Sequence, residues 1–128
     1  MSRFHLDTDY LIHALMRRGH EHARLRELFE SEHQVELSAM AWYEFVRGPR
    51  TPQQVAVARS FFAAAGIIPV TEEVAERAAD LFRRLKSSRR RGGDLLIAAV
   101  ALTRGATLLT RNLRDYADVD GLGLEPAH

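Results

Sequence analysis

Short apolar runs and longer helical periods take turns along all 128 residues, and that alternation narrows the possible folds more than anything else in the chain. The runs are "RFHLD" at 3–7, "VELS" at 35–38, "IIPV" at 67–70, "ATLLT" at 106–110 and a weaker "LGLE" near 122–125. Between them, apolar residues recur every three or four positions, which is the helical spacing. Helices are predicted over about 8–18, 21–32, 39–47 and 52–65. A strongly amphipathic one starts at Thr71, with Val74, Ala78, Leu81, Phe82 and Leu85 along its stripe. Ser38 is the expected cap of the third helix, while Gly48 and Pro49 stop it. After a loop at 87–93, Asp94 is expected to cap "LLIAAVAL", a helix so apolar that nearly every side must be buried. Strands alternating with helices at these distances imply a parallel sheet covered on both faces. The expectation is an α/β fold in which residues 1–128 form a single domain.

Other classes drop out quickly. No apolar run approaches the roughly 20 residues that cross a membrane. An acid appears by position 7, so no secretory leader is expected, and the lack of cysteine leaves no disulfide or zinc–thiolate site. Both fit a cytoplasmic protein. A net charge of +1 excludes a strongly basic chain, yet all but one of the 18 basic residues (Lys86) are arginine. The "RRR" at 89–91 is the densest basic run. Arginine's planar fork suits phosphate oxygens, although a GC-rich genome would give the same bias.

In a parallel sheet, ligands sit beyond the carboxyl ends of the strands. Asp7 ends the first strand and Glu44 lies on the helix after the second. Asp94 opens the buried helix, and Asn112 and Asp115 follow the fourth strand. All five map to one rim. Glu44 lies between Met40 and Arg47 on its helix, and Ala39, Tyr43 and Val46 are expected to face the core. Two unit charges about 4 Å apart repel by about 4 kcal/mol at an effective dielectric near 20, whereas a surface ion pair returns about 1 kcal/mol at most. A divalent cation would relieve that repulsion, and an all-oxygen donor set favours Mg²⁺ or Mn²⁺. Each acid also has a plainer reading by itself. Asp94 could cap its helix, Glu44 could pair with Arg47, Asp115 could be a solvated turn residue, and Asp9 could favour a helix start. The histidines at 20 and 22 lack acidic company and are not expected to bind metal. Trp42 and Phe45 are expected in the core or at a dimer contact.

At these residues the chain resembles the PIN-domain nucleases, and within them the VapC-type toxins of VapBC toxin–antitoxin pairs. The segments that carry the likeness are "LDTDYLI" at 6–12, "LSAMAWYEFVRG" at 37–48, "GDLLIAAVAL" at 93–102 and "ATLLTRNLRDY" at 106–116. The resemblance implies a PIN-like three-layer α/β/α sandwich with a short, mostly parallel central sheet. It makes Asp7, Glu44 and Asp94 the core catalytic and metal-holding acids and leaves the fourth to Asp115 or Asn112, with Asp115 preferred. Thr8, Asp9, Thr110 and Asn112 are candidates to position water or the ligands. Arg47, Arg111, Arg89, Arg90 and Arg91 are candidates to grip RNA phosphates. The activity implied by the resemblance is that of a Mg²⁺-dependent endoribonuclease (Mn²⁺ could substitute) that cuts tRNA, rRNA or mRNA and inhibits translation. Such a toxin is expected as a homodimer neutralised by a VapB-type antitoxin. Two rivals remain at this point. One is a PIN-like module that binds RNA or protein without cutting. The other is a haloacid-dehalogenase-like phosphohydrolase, for which "DTD" at 7–9 fits and Ser38 could serve, although a suitably placed lysine and a paired-acid motif are missing.

Overall fold

A computed structural model describes residues 2–17, 19–64, 66–86 and 88–126. The chain runs β1 (Arg3–Leu6), α1 (Thr8–Leu15), α2 (Glu21–Phe29), β2 (Gln34–Ser38), α3 (Ala39–Val46), α4 (Pro52–Phe61) and β3 (Ile67–Ile68). It continues through α5 (Glu72–Arg84), a 3₁₀ turn at Ser88–Arg90, α6 (Gly92–Arg104), β4 (Thr107–Thr110), a second 3₁₀ turn at Leu113–Asp115 and β5 (Gly123–Pro126). The strands form one sheet in the order β3-β2-β1-β4-β5, and every ladder is parallel. This is the expected α/β architecture.

Side-chain alternation along β1 assigns the layers. Phe4 lies under the guanidinium of Arg24, on α2, so α1 and α2 cover that face. His5 points the other way, to Glu36 on β2, which Arg104 at the end of α6 also holds. α6 therefore lies on the second face, and α5 packs outside it through Val74 and Ala78 against Ala99 and Val100. Sandwiched in this way, α6 buries Leu95, Ile97, Ala98, Ala99, Val100 and Ala101, as an all-apolar helix must. α3 touches both α1 and α6 at the carboxyl end of the sheet.

Local chemistry sets most of the boundaries. Ser38 accepts the Ala41 N–H and caps α3. Thr51 and Gln54 form a reciprocal capping box, with Pro52 in the first turn of α4. Thr71 caps α5, and Gly105 closes α6 at φ 63°, a left-handed conformation that glycine adopts without strain.

Several expectations need correction. α1, α2 and α4 stop at Leu15, Phe29 and Phe61, short of the predicted ends, and Arg18, Ala65 and Ser87 lie outside the described residues. Asp94 is neither a cap nor a first residue. α6 begins two residues earlier, at Gly92, because the two glycines enter the helix, and Arg91 takes the cap position. The core face of α3 is Ala41 and Phe45, while Tyr43 and Val46 are 55% and 42% exposed. "AMAWYEFV" is apolar nearly all round, so periodicity alone could not choose its inner stripe. Phe82, on the predicted stripe of α5, also ends up partly outside, at 42% exposure.

Candidate active site

Asp7 follows directly on β1. Its backbone N–H still donates to the Leu109 carbonyl, so the ladder fixes it at the carboxyl edge of the sheet. Its side chain is buried and Oδ2 accepts from the Thr110 hydroxyl at 3.0 Å. Thr110 is held in turn by the Asn112 N–H at 2.9 Å. Glu44 projects from α3 and accepts from the Thr8 hydroxyl at 2.6 Å. Asp94 sits in the first turn of α6 and accepts from the hydroxyl of the fully buried Tyr116 at 3.3 Å.

The electrostatics join these acids. Burial pushes the Asp7 carboxyl above its ordinary range, the Thr110 and backbone hydrogen bonds oppose this, and the charges of Glu44 and Asp9 add to it. Asp94 is pushed up to about 6 by burial, then by the charges of Asp7 and Asp115, with Glu44 contributing less. The same buried surroundings and the charges of Asp7 and Asp94 hold the Tyr116 hydroxyl protonated at any ordinary pH. Four carboxylates from four separate segments thus share one repulsive field. Among the described residues, no group of three or more acids or histidines is arranged, as it stands, to hold an ion. Instead, hydroxyls engage Asp7, Glu44 and Asp94, and the side chain of Asp115 is exposed.

The arginines divide into two groups. Arg89, Arg90 and Arg47 are exposed, and Arg47 lies 5.2 Å from the Tyr43 ring centroid rather than on Glu44. Arg91 is committed inside the protein, with two prongs on Asp118 and one on the Asp115 carbonyl. Arg111 stands between, with Nη1 3.2 Å from Asp9 and Nε 3.7 Å from the buried Glu21. Asp9 itself is in the first turn of α1, as its plainer reading held, and the side chain of Asn112 is exposed. The Nδ1 atom of His22 lies 3.0 Å from the Ala14 carbonyl oxygen. Ser38 is spent on its helix cap and Lys86 is exposed, which leaves the phosphohydrolase reading without its parts.

The PIN domain family matches residues 5–122, nearly the whole chain. The chain belongs to the PIN-domain family. It is 35% identical over 94 residues to ribonuclease VapC19 of Mycobacterium tuberculosis, covering 72% of this chain and 74% of that protein, which makes it a VapC-type PIN domain. A DNA-bound VapBC structure from Salmonella typhimurium superposes with a TM-score of 0.77 at 21% identity, over 98% of both chains. A toxin–antitoxin complex from Klebsiella pneumoniae gives a TM-score of 0.65 at 28% identity, over 95% of both chains.

Within this PIN domain four residues escaped the sequence reading. Tyr116 and Asp118 act across 22 and 27 positions, on Asp94 and Arg91. Glu21 is a buried acid facing Arg111. Gly93 lets Glu44 approach the backbone of α6, since a Cβ there would lie 2.6 Å from Glu44 Oε2 and 3.0 Å from Met40 Cε. The "GG" before Asp94 was the available signal, although it reads equally well as a loop. The donor set suits a hard divalent cation: it is all oxygen, and its two most enclosed members, Asp7 and Asp94, are raised in pKa by burial and then by the neighbouring acids. Asp7, Glu44, Asp94 and Asp115 are the residues that would hold one.

Proposed function

We propose that this PIN domain is a Mg²⁺-dependent endoribonuclease and the toxin of a type II toxin–antitoxin pair. The reading is carried by one observation: at the carboxyl edge of the sheet, burial and then the charges of neighbouring acids, Glu44 on Asp7 and Asp7, Asp115 and Glu44 on Asp94, push the Asp7 and Asp94 carboxyls above their ordinary range. The 35% identity to a protein named as a ribonuclease supports the choice of RNA as substrate. Bound Mg²⁺ would supply an activated water for in-line attack on phosphorus and offset charge on the departing oxygen. Asp7, Glu44, Asp94 and Asp115 hold the ion, while Thr8, Thr110 and Tyr116 orient the carboxylates through their hydroxyls. Arg47, Arg89, Arg90 and, once released from Asp9, Arg111 grip phosphates on either side of the cut. Arg91 is left out of that role because both terminal nitrogens of its guanidinium are already paired. The RNA is a tRNA, an rRNA or an mRNA, and its cleavage inhibits translation.

The toxin–antitoxin assemblies among its structural relatives support a VapB-type antitoxin as partner. A homodimeric toxin is part of the same proposal. No helix among the described residues is long and apolar enough to cross a membrane, and we place the pair in the cytoplasm. Total RNA incubated with the protein and Mg²⁺ should yield fragments with 5′-phosphate and 3′-hydroxyl ends, and Asp7→Asn should yield none. Fragments ending in 2′,3′-cyclic phosphate would contradict a water nucleophile. A non-cleaving module draws on the lack of a gathered ion-holding group among the described residues. It predicts RNA retention that ignores Mg²⁺ and no new ends.

A further inference from the structure

Two crossings tie the start of α6 to the segment that follows β4. One is the Tyr116 hydroxyl on Asp94 Oδ1. The other is built on Arg91, the residue immediately before α6. Its Nη1 and Nη2 donate to Asp118 Oδ2 at 2.8 Å and Oδ1 at 2.7 Å, and Nη2 also donates to the backbone carbonyl of Asp115 at 2.7 Å. Nη1 further reaches the Lys86 carbonyl, just beyond α5, at 3.5 Å. The Arg91 side chain is only 14% exposed, although it belongs to the densest basic run in the chain. A two-pronged carboxylate pair with a third bond to a carbonyl uses the planar fork in a way that a lysine ammonium cannot reproduce.

We propose that Arg91 and Asp118 are positioning residues for the cation site: a latch that fixes the Asp115 backbone against the first turn of α6 and so sets the distance between Asp94 and Asp115. The proposal rests on the cation-binding reading above and adds the means by which the fourth acid is brought into place. Asp115 needs such a device. Its side chain is exposed, and its one-turn 3₁₀ segment offers no packing of its own, since none of its residues is buried. Groups that orient metal ligands tune affinity, with losses of about 10-fold or more when they are removed. A basic residue that looks like an RNA contact thus acts instead on the acids.

The test is Mg²⁺ binding to the full chain, read as the Mg²⁺ dependence of thermal melting and checked against melting in EDTA. The variants are Arg91→Lys, Asp118→Asn, Asp115→Asn and the Arg91→Lys/Asp115→Asn pair. Arg91→Lys and Asp118→Asn should each weaken Mg²⁺ binding by about 10-fold. Adding Asp115→Asn to Arg91→Lys should weaken it little further, because Asp115 has already lost its place. A staple that merely stabilised the fold would lower melting in EDTA and leave the Mg²⁺ affinity alone, and that result would overturn the latch. So would losses from Arg91→Lys and Asp115→Asn that simply multiply. Should Arg91→Lys fail to fold, Asp118→Asn decides, since Asp118 is 47% exposed. A wild-type protein that ignores Mg²⁺ would remove the cation reading and the latch together; a wild type that binds alongside variants that bind equally well removes the latch alone.

Discussion

Asp94 carries the clearest electrostatic strain in the molecule. Its pKa rises from 3.8 to about 6, so the folded state holds this proton more tightly than the unfolded chain does. Its ionisation therefore works against folding, increasingly as pH climbs from 3.8 to about 6 and in full above that. Asp94→Asn keeps an acceptor for Tyr116 and removes the charge. It should raise Mg²⁺-free stability at pH 7.5 by about 1 kcal/mol, discounted for partial exposure, and change nothing near pH 3.5. Urea titrations at the two pH values check this, and a variant destabilised at both would refute it. Gly93→Ala tests the neighbouring acid. The nearest neighbours of the new Cβ are the free ends of Glu44 and Met40, so melting in EDTA should barely move, while the displaced Glu44 carboxylate lowers RNA cleavage by about 10-fold or more. Asp7 was legible as a candidate because a carboxylate at the end of an apolar strand has few structural uses, and Glu44 because it maps to the same rim. Tyr116 and Asp118 were not, because nothing local marks a side chain whose partner lies more than 20 positions away.

The helix caps are the elements' most readable feature, since a hydroxyl three residues before an open N–H needs no tertiary knowledge. Ser38, Thr51 and Thr71 all sit where that logic puts them. Ser38→Ala should cost about 1 kcal/mol of stability, and because the cap fixes the start of α3 it should also disturb Glu44. Apolar helices are harder. α6 could be read as buried without saying where it begins, and α3 could be read as a helix without saying which stripe is inside, because neither has a polar face to betray the answer. β1, β2 and α6 are joined by a network that spacing does not reveal: His5 on Glu36 at 2.9 Å, with Arg104 bracing Glu36 at 2.6 Å. Burial lowers the His5 pKa below 6.5; Glu36 opposes this, while Arg104 and Arg3 assist. Burial also pushes Glu36 up, but hydrogen bonds from Arg104 and His5 more than reverse it. Both lowered values give stability at neutral pH that is lost on acidification, for His5 from pH 6.5 downward through its folded value and for Glu36 below 4.5. His5→Gln should therefore flatten the fall in melting temperature just below pH 6.5, and an unchanged slope would show that His5 does not titrate there.

At the scale of the whole molecule, the parallel sheet converts distance in sequence into proximity. Every parallel strand delivers its next residue to the same edge, so Thr110 reaches Asp7 across 103 positions by a contact that the sequence does not announce. The fold and the shared rim were legible for that reason. The latch on Asp115 and the ion-pairing of Arg111 were not, because both depend on the path of loops rather than on the alternation of elements. A cation bound only by the folded chain adds about 2.7 kcal/mol at 100 times its dissociation constant, so saturating Mg²⁺ should raise the melting temperature by several degrees in the wild type and not in Asp7→Asn. The most direct measurement is anomalous diffraction from crystals soaked in Mn²⁺. A shared cation site predicts a peak bounded by the carboxylates of Asp7, Glu44 and Asp94, with Asp115 on its open side. No peak there at saturating Mn²⁺, or a peak held by other residues, would contradict it.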